Sequence, residues 1–262
     1  MSLLSDYGLE DGFVGALHSV LRRRVPDLPI VDLTHGVRRQ DVRAGSLALL
    51  RAVPYLAPGV VVAIVDPGVG TARRGVAVRS GPVSLVGPDN GLLVPDVEAL
   101  RVASGAVELE DRGYWFHPPG PTFAGRDIFA PAAGVLAAGG DLSDLGPPLE
   151  RQGLVRLPQP VCRRRPDGAL EAEVTWVDRF GNVELAAGPS DLPAPDAVAV
   201  SPAPPAGQSR PVRVVRAFSE LGPGELGLLV DSYGHLALCV YGASAADLLG
   251  TREEGLVLLS RL

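Results

Sequence analysis

The chain has 262 residues, enough for one large domain or two modest ones with real cores. Its 46% apolar and 21% charged residues exclude a disordered chain, and the net charge of −6 argues against a general electrostatic grip on nucleic acid or an anionic membrane. All 24 basic residues are arginine, which excludes lysine Schiff-base chemistry and a lysine-bearing phosphate loop. Two cysteines, Cys162 and Cys239, do not make a thiolate metal site or a disulfide framework. The four histidines, His18, His35, His117 and His235, lack metal-ligand spacing. Met1 runs straight into Ser-Leu-Leu-Ser-Asp, and no apolar run approaches the ~20 residues of a membrane span. A cytoplasmic protein without metal or membrane segment is expected.

Residues 2–5 predict a first strand that ends at Asp6-Tyr7-Gly8. Phe13, Val14, Leu17, Val20 and Leu21 recur at helical spacing, with Asp11 as N-cap and Pro26 as the stop. Pro29–Leu33 predicts a strand and Val42–Val53 a helix, while the unbroken apolar run Val60–Val65 predicts a strand buried on both faces. Gly75–Val78 and Ser84–Val86 predict further strands and Phe129–Ala138 a helix. This alternation implies an α/β domain over 1–150, with a mainly parallel sheet flanked by helices. Prolines and an arginine triplet mark 151–166 as a linker. Beyond it, short segments (Ala169–Val177, Asp196–Val200, Val212–Ala217, Leu226–Val230, Leu236–Val240, Leu256–Leu259) and a brief helix at Ser244–Leu249 predict a smaller all-β, barrel-like domain over 167–262. The Pro-rich stretch from Pro189 to Pro211 is expected to be a surface loop.

Ligands of open parallel sheets sit beyond the carboxyl ends of the strands, where Asp6 and Asp66 fall. Either can hold ribose hydroxyls or a reacting water, or serve simply as a turn carboxylate. Gly68 and Gly70 allow close backbone approach, and Arg73 is near enough to fold back onto Asp66, although a glycine-rich turn with solvated arginines fits equally well. Pro88-Asp89-Asn90-Gly91 reads as a turn. Phe123 beside Gly125 is either a stacking surface or ordinary packing at a helix start. Asp178-Arg179-Phe180-Gly181-Asn182 and Asp231-Ser232-Tyr233-Gly234-His235 are polar turns carrying aromatics, with His235 expected at the surface.

In order along the chain stand residues 5–15, Asp32-Leu33-Thr34-His35-Gly36-Val37, the 66–74 segment, Pro88-Asp89-Asn90-Gly91-Leu92-Leu93, residues 122–131, 178–182 and 231–236. This series, spanning nearly the whole chain, closely resembles the adenosine-forming S-adenosyl-L-methionine (SAM) hydrolases, or SAM hydroxide adenosyltransferases, relatives of the SAM-dependent fluorinases and chlorinases. The resemblance implies an α/β domain with a C-terminal barrel. It also implies homotrimers that bind SAM between the N-terminal domain of one subunit and the C-terminal domain of its neighbour. SAM is the substrate and no separate cofactor is implied; water attacks the ribose 5′-carbon and yields adenosine and L-methionine.

Position by position, the resemblance makes Asp6 the ribose-binding carboxylate, with Asp11 close by, and makes Asp66 and Arg73 two members of an Asp-Arg-His set around the attacking water. Phe123 becomes a pocket aromatic. Asp178 and Asn182, in one turn with Phe180, become contacts to methionine and adenine. Ser232 and Tyr233 match the methionine carboxylate region, and Val240 and Gly242 the segment that reads adenine through its backbone. One departure stands out: the family pattern Thr-Phe-His-Gly-Arg-Asp has Ala124 here in place of its histidine. Loss of such a group typically costs ~10²–10⁴-fold in rate, so impaired turnover with binding retained is expected. His117, seven residues upstream, is expected to be structural. A non-catalytic binder of SAM or adenosine is the alternative. Halide-dependent adenosyl transfer is less favoured, because Asp66 stands where the halogenases carry tyrosine and Gly125 where the fluorinase carries serine.

Overall fold

The computed structural model describes residues 1–99, 103–116, 120–193, 198–202 and 209–262. The chain divides into two compact units, Met1–Leu157 and Pro158–Leu262. Residue 117, and the parts of the Pro-rich stretch at 194–197 and 203–208, lie outside the described residues.

The first unit is built on a six-stranded sheet of β1 (Ser2–Ser5), β2 (Val31–Thr34), β3 (Gly59–Ile64), β4 (Gly75–Ser80), β5 (Val83–Pro88) and β6 (Ala103–Glu108), in the order β2-β1-β3-β5-β4-β6. The pairs β1–β2, β1–β3 and β3–β5 are parallel, and β4 runs antiparallel to both β5 and β6. The antiparallel turn follows from Gly81-Pro82, since Gly81 takes φ +58° and a two-residue link leaves no room for a crossover. β3 is apolar and buried from Val60 onward, as a strand covered on both faces must be.

Helix α1 (Phe13–Arg24) buries Val14, Leu17 and Leu21 on one face. Its N-cap is Gly12, and exposed Asp11 does not cap it, contrary to the sequence expectation. Val25 leaves the helix in an extended conformation because Pro26 follows it. Helix α2 (Val42–Ala52) is capped by Asp41, whose carboxylate accepts from the Ala44 amide at 2.8 Å, and Pro54 turns its end into a 3₁₀ turn over Val53–Tyr55. A short α3 (Val94–Ala99) and β6 were not foreseen from the sequence. The expected helix at Phe129–Ala138 is α4 (Ala130–Ala137), which follows directly on a turn of π-helix at Gly125–Phe129. Ala130 to Leu136 is buried throughout, and small side chains let this helix sit closely against α1 and β3.

In the second unit, β8 (Leu170–Val177), β9 (Val183–Leu185), β10 (Val198–Pro202), β11 (Arg210–Val214), β12 (Leu226–Val230), β13 (Leu236–Val240) and β14 (Leu256–Arg261) form a seven-stranded barrel, closed where β14 pairs with β8. Leu170, Ala172, Val174, Leu226, Leu228, Leu236 and Leu238 belong to its core at alternate positions, the period a barrel wall requires. The helix α5 (Ala245–Leu249), capped by Ser244 and ended by left-handed Gly250, adds Ala245, Ala246 and Leu249 to that core.

Residues 151–166 are more than a linker. Leu154 is buried in the first unit, the Val155 amide donates to Asp89, and Cys162–Arg164 forms β7 on the edge of β8. Pairing is possible for such a polar stretch because an edge strand needs only backbone hydrogen bonds.

Gly87 tests the sheet packing. A Cβ on this residue would lie 2.2 Å from the Ala63 carbonyl oxygen on β3. Gly87→Ala is expected to destabilise the first unit by about 1–3 kcal/mol, read as a lowered urea midpoint, whereas Gly224→Ala, with no neighbour within 4 Å of its added Cβ, is expected to cost less despite its φ of +74°.

Candidate functional site

The site in the first unit begins with strand register. β1 and β3 are parallel neighbours with Ser5 opposite Ile64, so Asp6 and Asp66 leave the sheet at the same carboxyl edge. The Asp6 carboxylate accepts from the Gln40 amide at 2.7 Å. The segment after Asp66 coils through Val69 N to Asp66 O and Thr71 N to Gly68 O, and the Thr71 hydroxyl accepts from Arg73 N. This coil returns the Arg73 guanidinium to Asp66, Nη2 to Oδ2 at 2.6 Å, with side-chain exposures of only 13% and 6%. The pattern of residues left that pairing open; the loop makes it.

Arg73 also donates to the Arg74 carbonyl at 2.9 Å and lies 5.2 Å over the Phe129 ring. Asp66 Oδ1 and Arg73 Nε are buried and make no hydrogen bond among the described residues. Asp66 Oδ1 and Arg73 Nε thus keep hydrogen-bonding capacity that a water or another small polar group can use. Burial pushes the Asp66 carboxyl above its usual range, against the pull of Arg73 and the Gly68 amide, and the Asp6 charge adds to the rise.

Behind the pair, Asn90 donates its amide to the Val65 carbonyl at 2.8 Å and thereby fixes the strand end just before Asp66. Asp89 accepts from Arg74 at 2.5 Å and from the Val155 amide at 2.8 Å. The Pro88–Gly91 turn is therefore more than a turn: it braces the site loop.

Tyr7, Phe13 and Phe123 form an aromatic cluster with ring centroids 5.0–5.5 Å apart. Phe123 additionally carries the Arg126 guanidinium at 5.0 Å. Gly125 starts the π-helical turn, and a Cβ on it would lie 2.4 Å from the Tyr7 hydroxyl oxygen. Burial, together with Asp6, Asp66 and Asp127, raises the Tyr7 phenol far above its ordinary value, so it stays a neutral hydroxyl. Ala124 is buried in the apolar core beside it. The loop carrying Asp66 reaches the same segment, since the Gly70 Cβ position lies 3.2 Å from the Pro121 carbonyl oxygen. Thus Asp6, Asp66, Arg73, Phe123, Ala124 and Gly125 all belong to one region of the first unit. Asp11 lies exposed before α1.

In the second unit, Asp178 organises the β8–β9 turn by accepting from the amides of Phe180 and Asn182 and from the Asn182 side chain at 2.8–2.9 Å. Phe180 projects 77% exposed. Gly181, at φ +80°, packs against Ser244, the cap of α5. Asp231 plays the same part between β12 and β13, accepting from the amides of Tyr233 and His235. Ser232 and Tyr233 are exposed on that turn, Val240 is buried at the end of β13, and Gly242 is exposed at φ +77°. Glu184, Asp231 and His235 bring possible cation-ligating atoms within 4.8 Å of one another. Both carboxylates already engage local partners, since Thr175 donates to Glu184 and Asp231 accepts from the amides of its own turn.

Tyr7, Phe13 and the bracing role of Asn90 are parts of this region that residue types alone do not reveal. The only available signal was that Tyr7 directly follows Asp6, which places it at the same strand end. Among the described residues, no helix is long and apolar enough to cross a membrane.

Residues 1–146 match the SAM hydroxide adenosyltransferase N-terminal domain, and residues 172–257 match the corresponding C-terminal domain. An (R)-S-adenosyl-L-methionine hydrolase of Salinispora tropica is 49% identical over 95% of this chain and 93% of its own. A fluorinase of Actinoplanes is 27% identical over 70% of each chain. The crystal structure of an uncharacterized conserved protein from Thermotoga maritima superposes with a TM-score of 0.88 at 31% identity, covering 99% of both chains. Matched over most of its length in both units, the chain belongs to the SAM hydroxide adenosyltransferase family.

Proposed function

We propose that this protein hydrolyses SAM to adenosine and L-methionine, slowly because Ala124 stands where the family pattern has histidine. The observation that carries the reading is the buried Asp66–Arg73 pair with its two unsatisfied atoms, set beside Asp6 at the end of the sheet. Asp6 accepts hydrogen bonds from the ribose hydroxyls. Asp66 and Arg73 hold a water for in-line attack on the 5′-carbon. The new C–O bond forms as the C–S bond breaks, methionine leaves with the electron pair as a neutral thioether, and the water's proton passes to the Asp66 carboxylate and then to solvent. Because the sulfonium is already a good leaving group, alignment and desolvation of the water are the main demands on the protein.

Phe123 supplies apolar contact in this reading, and Asp11 borders the ribose loop. In the second unit we assign Asp178, Phe180, Asn182, Ser232, Tyr233, Val240 and Gly242 to methionine and adenine, and the assembly to a homotrimer. The second reading, a binder of SAM without turnover, is favoured only by Ala124. Halide chemistry is disfavoured by Gly125, because the Tyr7 hydroxyl occupies the place where a side chain would begin.

Ala124→His is expected to raise adenosine formation from SAM by ~10²–10⁴-fold, followed by chromatography. Tight SAM binding by calorimetry with no adenosine from either form would select the binder instead. In the Ala124→His protein the carboxylate form of Asp66 is the active one, and its raised pKa in the free protein places the acid limb of kcat/KM above the ordinary 3.8 of an aspartate. Activity therefore falls as pH drops through that limb, and Asp66→Asn removes both limb and turnover. Light scattering is expected to give three times the 27.3 kDa of one chain; a monomer would end the trimer assignment.

A further inference from the structure

A buried polar chain that the proposed reaction does not use lies directly behind Asp6. The Ser5 side chain is fully buried, and its hydroxyl oxygen lies 2.7 Å from His35 Nδ1. His35 is itself only 2% exposed in its side chain, and its Nε2 lies 3.1 Å from Asp32 Oδ1, off the ideal hydrogen-bond line. The same Asp32 oxygen receives His18 Nε2 at 2.9 Å. Asp32 remains a carboxylate: burial raises its pKa, but the close approach of His35 and the hydrogen bond from His18 outweigh this and bring it below the usual range.

A carboxylate against Nε2 favours the proton there and leaves Nδ1 as an acceptor. Ser5 must then donate to His35, and its oxygen accepts from the Tyr7 amide at 3.2 Å. The arrangement holds serine, histidine and aspartate in a line, yet Ser5 is no nucleophile, because its hydroxyl has no exposure to solvent or substrate.

What the chain grips is the backbone on both sides of Asp6. Ser5 precedes it, Tyr7 follows it, and the Gly8 amide donates to the His35 carbonyl at 2.8 Å. From the same connection, Gln40 donates its amide to the Asp6 carboxylate while held at φ +61°, an uncommon conformation for a side chain of its kind. The 34–41 segment therefore clamps residues 5–8 by side chain, carbonyl and amide together.

We propose that Ser5, His35 and Asp32 are positioning residues that set the Asp6 carboxylate for the ribose hydroxyls, a role that rests on the function proposed above. Ser5→Ala removes one buried hydrogen bond of this chain and is expected to weaken SAM binding about three- to tenfold. His35→Gln keeps a donor toward Asp32 and loses the acceptor at Nδ1, so it is expected to weaken binding similarly. His35→Asn keeps an acceptor near Ser5 and is expected to stay within about twofold of the parent.

The test is calorimetric titration of SAM into the parent and these variants, repeated in an Asp6→Ala background, with thermal unfolding recorded for each. Residues that act through Asp6 lose their effect once Asp6 is gone, whereas a general loss of folding adds to it. The expected result is a three- to tenfold loss for Ser5→Ala and His35→Gln in the parent, and none in Asp6→Ala. Unchanged affinity in Ser5→Ala and His35→Gln, or losses that simply add to that of Asp6→Ala, overturns the positioning role and leaves SAM hydrolysis standing. Should Ser5→Ala fail to fold, His35→Asn against His35→Gln decides alone: equal affinities overturn the proposal. A parent chain with no affinity for SAM overturns the proposed function and this role together.

Discussion

Two carboxylates emerge side by side from adjacent parallel strands, and neither has a way to move apart without breaking the register that pairs Ser5 with Ile64. Their mutual repulsion and the burial of Asp66 both oppose charge at that end of the sheet. Arg73 is the compensation. A buried ion pair of this kind is poor evidence of stability, because desolvation offsets most of the attraction. Its value lies in the specific charge it keeps at one point. The coil from Asp66 to Arg73 exists to bring that guanidinium back, and the close approach of Gly70 to Pro121 ties the same coil to the segment bearing Phe123 and Gly125.

Support for this pair comes from groups behind it. Asn90 fixes the carbonyl of Val65, while Asp89 holds Arg74 and the amide of Val155. Phe129 lies under Arg73 at the end of the π-helical turn. Backbone and buried polar contacts thus hold the Asp66–Arg73 pair in place, which is the condition for electrostatic preorganisation in the function proposed. The clamp on residues 5–8 does for Asp6 what Asn90 does for Asp66.

The strands most legible in the sequence were those whose burial alternates or is complete: Leu226–Val230 and Leu236–Val240 were read with their observed bounds, and the apolar run of β3 was displaced by one residue. β6 escaped notice because Ala-Ser-Gly-Ala-Val-Glu has one β-branched residue, and β7 because Cys-Arg-Arg is exposed throughout. Asp11 looked like a cap because residue type suggests caps, whereas φ and ψ of Gly12 decide this one. Asp6 and Asp66 were legible as strand-end acids. Their partners were not, since neither the return of Arg73 nor the grip of His35 on Ser5 leaves a periodic trace; both depend on loop paths that bring distant residues together.

Tyr7 explains why the segment after Ala124 reads as it does. Its hydroxyl claims the volume that a side chain at position 125 would need, so glycine there follows from the aromatic at position 7. The phenol stays neutral among Asp6, Asp66 and Asp127, adding a dipole where a further charge would be costly. For the displacement proposed, with a cationic substrate and a neutral leaving group, negative charge must be present but limited: too little fails to hold the water, and too much stabilises the sulfonium ground state. One ion pair, one hydrogen-bonded carboxylate and a neutral hydroxyl satisfy that balance without an imidazole; in the function proposed, Ala124 then affects the handling of the water's proton rather than the charge that meets the sulfonium.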